Sequence, residues 1–432
     1  MRLNFRVGLG IVSKPGRNHT TLLFVIASTY FLLYKSKFLP LGVTNNWYWD
    51  SNFGDLKSAL KMMSCSLEYG HSIYLINAPG DCGGFTYGYY PALLIDLFGI
   101  NDSMSTVLGI TFFLALVLMI LHLTRTLIAE WKIPFLFTYL VFVSPGFWLA
   151  IVHGSLDIPI FIFIIISMYF SRFKSQNLTF LLILCTVLFK FFTLPLLFLL
   201  VIRSYLQKET KWQAVIYSII TAFAVTSIVQ VMLLVNYQDS NYRMAQGVFH
   251  TFGVESLPIW LEVLSTKYGL VSLSLSSLER KILGLIFLTV LAFFLNLKKP
   301  FIEDSQTSNS EFDNIHFHSR NQIVENLAFL GLPFLTLFIQ GQNYDNKLIF
   351  LSLPCCALYT LIRVNWYRKF FIFVTFSTFW FTCFYPNSFP RSIFVLIEIT
   401  GDICVFILSS LLIVAFWNYR TSIFLKGWKN RK

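Results

Sequence analysis

Apolar runs long enough to cross a bilayer recur from one end of this 432-residue chain to the other, and that recurrence constrains the fold more than any motif does. A helix needs about 20 apolar residues to cross roughly 30 Å of hydrocarbon. Windows of that kind begin near residues 20, 103, 133, 156, 178, 193, 212, 281, 324, 347, 369 and 391. The expected fold class is therefore an all-α polytopic membrane protein with about twelve transmembrane helices. Composition agrees: 56% of the residues are hydrophobic, 12% are charged and 47 are Phe, and the mean hydropathy is +0.66. A soluble domain built this way would expose large apolar patches.

The basic start MRLNFRVGLGIVSKPGRNHT precedes an apolar segment that ends in YKSKFLP. No small-residue cleavage site follows, so the segment reads as a retained first span rather than a removed signal peptide. Residues 178–206 are too long for one ordinary span, and Pro195 disfavours a straight helix, so two short helices bent at KFFTLP are expected. The organisation is a cytoplasmic tail at 1–19, a first transmembrane helix at 20–39, and a long extracytoplasmic loop at 40–102 carrying short surface helices. Transmembrane helices two to twelve follow over 103–417, with a polar, mobile cytoplasmic linker near 298–322, and the chain ends in a basic cytoplasmic tail at 418–432. No internal repeat of fixed period is visible.

Lys and Arg set the orientation. With the N-terminus inside, Arg125, Lys132, Arg172, Lys174, Arg203, Lys208, Lys211, Lys298, Lys299, Arg363, Arg368, Lys369 and the basic tail all face the cytoplasm, as the positive-inside rule asks. The chain is expected in the cell (inner) membrane, multi-pass, with both termini cytoplasmic. Its net charge of +12 sits in short clusters between apolar runs, which points away from nucleic acid. Seven cysteines form no CxxC pair and no zinc spacing, so no metal is expected.

The same threading gathers the polar islands on the opposite face. The largest, residues 44–91, holds Asp50, Asp55, two cysteines and many aromatics. From Phe53 to Tyr74 its apolar residues are spaced for a short amphipathic helix on the membrane surface. Asp55 at its start is either a helix cap or a general base acting on an acceptor hydroxyl. Trp47, Tyr48 and Trp49 are either an interfacial belt or a sugar-stacking platform, and Tyr87, Tyr89 and Tyr90 carry the same ambiguity. Asp157 beside Pro159 is either a helix N-cap or a ligand for a substrate hydroxyl, and His153 is a candidate sugar contact. Lys190 and Lys347, each at the outer end of a span, either snorkel or hold an anion. Glu398 and Asp402 lie four apart on one face of the last span, either paired with a Lys or Arg of another span or lining a polar path.

These islands resemble a family. Asp55-Leu56 after the first span, Ala59 some turns on, Gly70 to Tyr74, and Tyr89-Tyr90-Pro91 look like the polyprenyl-phosphate-sugar-dependent glycosyltransferases of the C superfamily, in the multispan mannosyltransferase-like branch. His153-Gly154-Ser155-Leu156-Asp157 is similar to that family's Gly-Gln-x-Asp step, with Ser155 where Gln is usual. Lys190 to Pro195 resembles its Lys-Pro-x-x-x-Pro step without the first proline. Asn343-Tyr344-Asp345-Asn346-Lys347 is similar to its Asn-Tyr-x-x-Arg step, with a Lys point charge in place of the Arg fork.

The resemblance implies an integral membrane glycosyltransferase that moves a sugar, with inversion, from a polyprenyl-phosphate donor to an extracytoplasmic glycan or glycolipid acceptor, in contact with membrane lipid and without a cofactor. By position Asp55 would be the base, with Asp50 its rival. Lys190 and Lys347 would meet the donor phosphate, and Asp157, His153, Tyr89, Asn343 and Tyr344 would line the substrate. The competing classes are a transporter or flippase for a lipid-linked or small polar substrate and a polysaccharide polymerase or ligase. Cys65 and Cys82, facing an oxidising compartment, are either a disulfide that closes a short loop or two buried thiols. Cys185, Cys355, Cys356, Cys383 and Cys404 fall in spans and are expected to stay reduced.

The orientation makes a direct prediction. Reporter fusions at residue 432 and within 237–280 should report opposite sides of the membrane, and a common side would overturn the threading.

Overall fold

Helices follow the apolar runs, and polar residues mark where they stop. The computed structural model describes residues 54–69, 96–123, 126, 133–144, 146–147, 150, 155–172, 175–207, 211–238, 251–267, 275–298, 300–301, 310–340, 343–362, 364–381 and 391–419. Among these the chain is all-α apart from one two-residue strand pair. The first helices are α1 (Gly54–Tyr69), α2 (Ser105–Leu123, entered through a 3-10 turn at Asp102–Met104) and α3 (Phe135–Phe142). Next come α4 (Asp157–Arg172), α5 (Gln176–Phe189), α6 (Leu194–Gln207), α7 (Lys211–Gln238) and α8 (Ser256–Lys267). The chain then forms α9 (Ser277–Leu297), α10 (Ser310–Gln340), α11 (Ile349–Leu361), α12 (Asn365–Phe381) and α13 (Arg391–Asn418). Two stretches, Asp102–Leu123 and Val395–Asn418, are long and apolar enough to cross a membrane by length and composition. The other apolar helices found by the same test are shorter, among them Asp157–Ser171, Gln176–Phe189 and Ile349–Leu361.

In α1 the amphipathic spacing is realised. Leu56, Ala59, Leu60 and Met63 are buried while Lys57 and Lys61 are exposed, and the helix packs on α2 and its entry turn. The break in 178–206 also falls where proline placed it. α5 stops at Phe189, a 3-10 turn covers Phe191–Thr193, and Pro195 enters the first turn of α6, where a missing N–H is tolerated.

Elsewhere the elements differ from expectation. The span expected from 133 is an eight-residue helix that ends at Phe142. There the Ser144 hydroxyl donates to the Val141 carbonyl at 2.6 Å and accepts from the Phe147 amide at 3.3 Å. Residues 310–322, within the segment expected as a linker, are helical and form the first turns of the 31-residue α10; nothing in SEFDNIHFHSRNQ breaks a helix, and Pro333 lies much further on. The segment 251–267 is built into the protein. β1 (Thr251–Phe252) pairs antiparallel with β2 (Asn343–Tyr344), Thr251 opposite Tyr344. Beyond it the Val254 amide donates to the Phe338 carbonyl at 2.8 Å, and Val254 is fully buried. Non-helical backbone at such depth survives because these bonds satisfy it.

α10 is the hub of the packing, touching α11, α6, α4 and α13. Phenylalanines join the helices edge to face, as ring quadrupoles favour: Phe338 of α10 meets Phe406 of α13 at 4.9 Å, and Phe350 of α11 meets Phe192 at 5.0 Å and Phe161 of α4 at 5.9 Å. Small residues let backbones approach. A Cβ on Gly284 of α9 would stand 1.8 Å from the Val254 carbonyl oxygen, whereas one on Gly331 of α10 would meet side chains alone, the tip of the Phe416 ring at 2.9 Å and a Leu412 methyl at 3.3 Å.

The two glycines therefore separate backbone from side-chain contact. Gly284→Ala should lower stability by about 1–3 kcal/mol or more, because a carbonyl in a hydrogen-bonded strap cannot step aside. Gly331→Ala should have the smaller effect, since a ring can rotate. Thermal unfolding in detergent would check both, and equal losses would contradict the strap's rigidity.

Candidate functional site

Three helix ends meet at one carboxylate. Asp157 is the first residue of α4 and is 1% exposed. The Ser155 hydroxyl accepts from the Asp157 amide at 3.2 Å and donates to Asp157 Oδ2 at 2.8 Å. Ser155 thus fills the turn-closing role that the sequence left open for Asp157, and it fixes the carboxylate's direction. Asp157 Oδ1 accepts from Lys190 Nζ at 2.8 Å, and Lys190 keeps 16% of its side chain exposed.

Lys190 reaches this place because α5 ends at it. Its backbone is extended, with φ −151° and ψ 126°, and the polar groups freed by the break are taken up locally. The Lys190 amide donates to the Thr186 carbonyl at 2.9 Å, the Thr193 hydroxyl donates to the Lys190 carbonyl at 3.2 Å, and the Thr186 hydroxyl lies 3.0 Å from that of Thr193. Lys347 comes from a third break, the 3-10 turn Asp345–Leu348 between β2 and α11. It is half-buried, and its positive charge acts on Asp157 together with that of Lys190.

A carboxylate this deeply buried is tolerable only with compensating charge, and here two cations and a hydroxyl supply it. Directly below lies the aromatic trio: Phe161 is one helical turn past Asp157, Phe192 two residues past Lys190 and Phe350 three past Lys347. All three rings are buried, so the three elements that carry the charges are joined by apolar packing beside them. Chemically, two ammonium groups beside one carboxylate form a cationic centre suited to a phosphate or carboxylate ligand.

A second polar group lies where α8 meets α9 and α13. The Trp260 indole N–H donates to Asp402 Oδ2 at 2.7 Å, so the partner of this carboxylate includes a tryptophan of a connecting segment rather than only a Lys or Arg of another span. Glu398, one turn away, is 4% exposed. Glu262 accepts from Arg280 at 2.8 Å and from the Leu275 amide at 2.7 Å, and Glu255 lies 3.5 Å from Lys281. Local sequence offers a cue for one of these features alone, the Ser276-x-x-Glu279 capping box that opens α9. The Trp260–Asp402 contact joins residues 142 apart and leaves no local trace.

Of the other expected site residues, Asp50, His153, Tyr89 and Cys82 lie outside the described residues. Asp55 is the second residue of α1, Cys65 lies in the same helix, and Asn343 and Tyr344 form β2; their side chains are not among those described. The β pair nonetheless carries the Asn343–Lys347 step to the 251–256 strap. Cys185, Cys355, Cys356 and Cys404 are free thiols, and among the described residues no group of three His, Cys, Asp or Glu side chains is arranged to hold a metal. Comparison with protein-family models, curated proteins and solved structures found no match.

A double-mutant cycle tests the ion pair. Asp157→Asn should cost about 3 kcal/mol, the low end for breaking a buried pair because Lys190 retains some solvent. Lys190→Gln added to it should cost much less than it does alone. Chemical denaturation of the four proteins would read the coupling, and additive losses would show that the pair does not hold the helix ends.

Proposed function

We propose that the protein is an integral membrane glycosyltransferase that takes a sugar from a polyprenyl-phosphate donor and passes it to an extracytoplasmic acceptor. The observation that carries this reading is the convergence of Ser155, Asp157, Lys190 and Lys347. They come from three separate family-like steps, spread over 193 positions of sequence, and they meet at one cationic centre.

The lengths of the helices support the placement. α4, α5, α6 and α11 hold 16, 14, 14 and 13 residues, which at about 1.5 Å per residue is ~20–24 Å. The hydrocarbon layer is roughly 30 Å thick. With the basic ends of these helices at the cytoplasmic boundary, their other ends stop several Å short of the outer boundary. The charged cluster then forms the floor of a recess sunk below the outer interface. A lipid phosphate can descend to such a floor while its chain stays in the membrane, and a water-soluble sugar nucleotide has no comparable reason to use it.

In this reading Lys190 and Lys347 stabilise the phosphate as it leaves the anomeric carbon, and Asp157 orients Lys190. Asp55, in the first turn of α1, is the base that takes the acceptor's proton, with Asp50 the alternative. A transporter reading draws on the same broken helices around buried charge. Donor consumption without movement of donor across the bilayer separates the two.

The experiment is an assay of purified protein with a panel of polyprenyl-phosphate sugars, read as loss of donor. Lys347→Ala should weaken donor binding by about 1.5–3 kcal/mol, and it is the cleaner lysine to remove because Lys190 also holds Asp157. Asp55→Asn should leave donor binding intact and lower turnover by roughly two to four orders of magnitude. No donor loss with any sugar, or unchanged affinity in Lys347→Ala, would refute the reading.

A further inference from the structure

Lys347 is held in place from two sides, and one of them leads to a distant part of the chain. The 3-10 turn Asp345–Leu348 that bears it runs into α11, where Leu348 is fully buried. Its other end is β2, which is paired with β1. Two paired strands of two residues each cannot fix their own position, so the anchor on this side lies beyond β1.

The strap that follows β1 supplies that anchor at successive points. Gly253 has φ 144°, a backbone state open to glycine, and its carbonyl accepts from the Ser256 hydroxyl at 2.9 Å. The Val254 amide is bonded to the Phe338 carbonyl at 2.8 Å, and the Val254 carbonyl lies against Gly284 of α9. Further along, in α8, the Trp260 indole N–H donates to Asp402 Oδ2 of α13 at 2.7 Å, and the two residues are 2% and 3% exposed. The same segment is tied to α9 by the ion pairs of Arg280 with Glu262 and Lys281 with Glu255, whose cations are 26% and 39% exposed. Solvated pairs constrain geometry weakly, whereas a buried hydrogen bond to a carboxylate tolerates little displacement. The Trp260–Asp402 bond is therefore the strictest of these ties.

We propose that Trp260 and Asp402 are positioning residues for Lys347: by pinning α8 to α13 they fix the strap, the strap fixes β1, and β1 fixes β2 and the turn that bears the lysine. The inference rests on the reading of Lys347 as a ligand of the donor phosphate and adds what controls its placement. Asp402 then serves as a hydrogen-bond acceptor rather than a proton carrier, a role that Asn can fill. A shift of the turn moves the ammonium group relative to Asp157 and to an incoming phosphate, and misplacement of such groups by about 1 Å is costly. Coupling of this kind is reciprocal, so a phosphate on Lys347 tightens the strap in return.

The test uses the full-length protein in phosphatidylcholine nanodiscs, with amide hydrogen exchange followed by mass spectrometry and binding measured with a polyprenyl phosphate. Trp260→Phe keeps an aromatic ring and loses the donor, and Asp402→Leu removes the acceptor from the other side. Each should speed exchange of both 251–256 and 343–348 by about tenfold, while 186–193, the stretch that bears Lys190, keeps the wild-type rate. Each should also weaken polyprenyl phosphate binding by roughly fivefold or more. Asp402→Asn should match wild type in both measurements, and polyprenyl phosphate added to wild type should slow exchange of 251–256.

Faster exchange confined to 256–267, with 343–348 unchanged, would overturn the proposal. So would an Asp402→Asn protein that behaves like Asp402→Leu. Faster exchange throughout, 186–193 included, would make the bond a general support of the fold and overturn it as well. Faster exchange at 251–256 and 343–348 with undiminished phosphate binding would leave the positioning of the turn standing and remove Lys347 from the donor site.

Discussion

The contact between Lys190 and Asp157 makes sense of the helix breaks around it. A buried ion pair is weak evidence for stability, since desolvating two charges offsets much of their attraction. What it does enforce is register. The 2.8 Å contact requires the end of α5 and the start of α4 to be level with each other, and the positive charge of Lys347, from the turn before α11, acts on the same carboxylate. Removing the charge would still leave Phe161, Phe192 and Phe350 packed together. Removing the aromatics would leave the charges with no reason to be dry. Each layer makes the other tolerable.

From that layer the rest of the architecture follows in two directions. One way, the short helices run from the charged layer to their basic ends. The other way, the 251–256 strap is built onto the bundle. It is tied to β2, to the Phe338 carbonyl and, through Gly284, to α9 at a distance that admits no side chain. β2 leads directly into the turn bearing Lys347, so the strap and the site share one short piece of backbone. Trp260, held by Asp402, anchors the helix that follows the strap.

How much of this could be read from sequence depended on the range of the interaction. Periodic features were legible: the buried face of α1 at Leu56, Ala59, Leu60 and Met63 repeats at helical spacing, and Pro195 announced the break before α6. Asp157, Lys190 and Lys347 stood out singly because charge at the end of an apolar run is rare, yet nothing local said that they would meet. The Asp157–Lys190 contact spans 33 positions and Trp260–Asp402 spans 142; pairings of that kind are set by packing. The helical state of 310–322 was not legible because low hydrophobicity gives no periodic signal, whereas helix continuation there needs only the absence of breakers. Among the site residues, Asp55 was legible as a helix start, and its chemistry was not, because a cap and a base look alike in one dimension.

The central claim is that a lipid phosphate enters the recess and engages the lysines now facing Asp157. The most direct measurement is an electron cryomicroscopy map of the full-length protein with a non-hydrolysable polyprenyl-phosphate sugar analogue. The account predicts phosphate density within hydrogen-bonding distance of Lys190 and Lys347, with the sugar toward the N-terminal end of α1. Phosphate density elsewhere, with the Lys190–Asp157 pair unaltered and the recess empty, would contradict it.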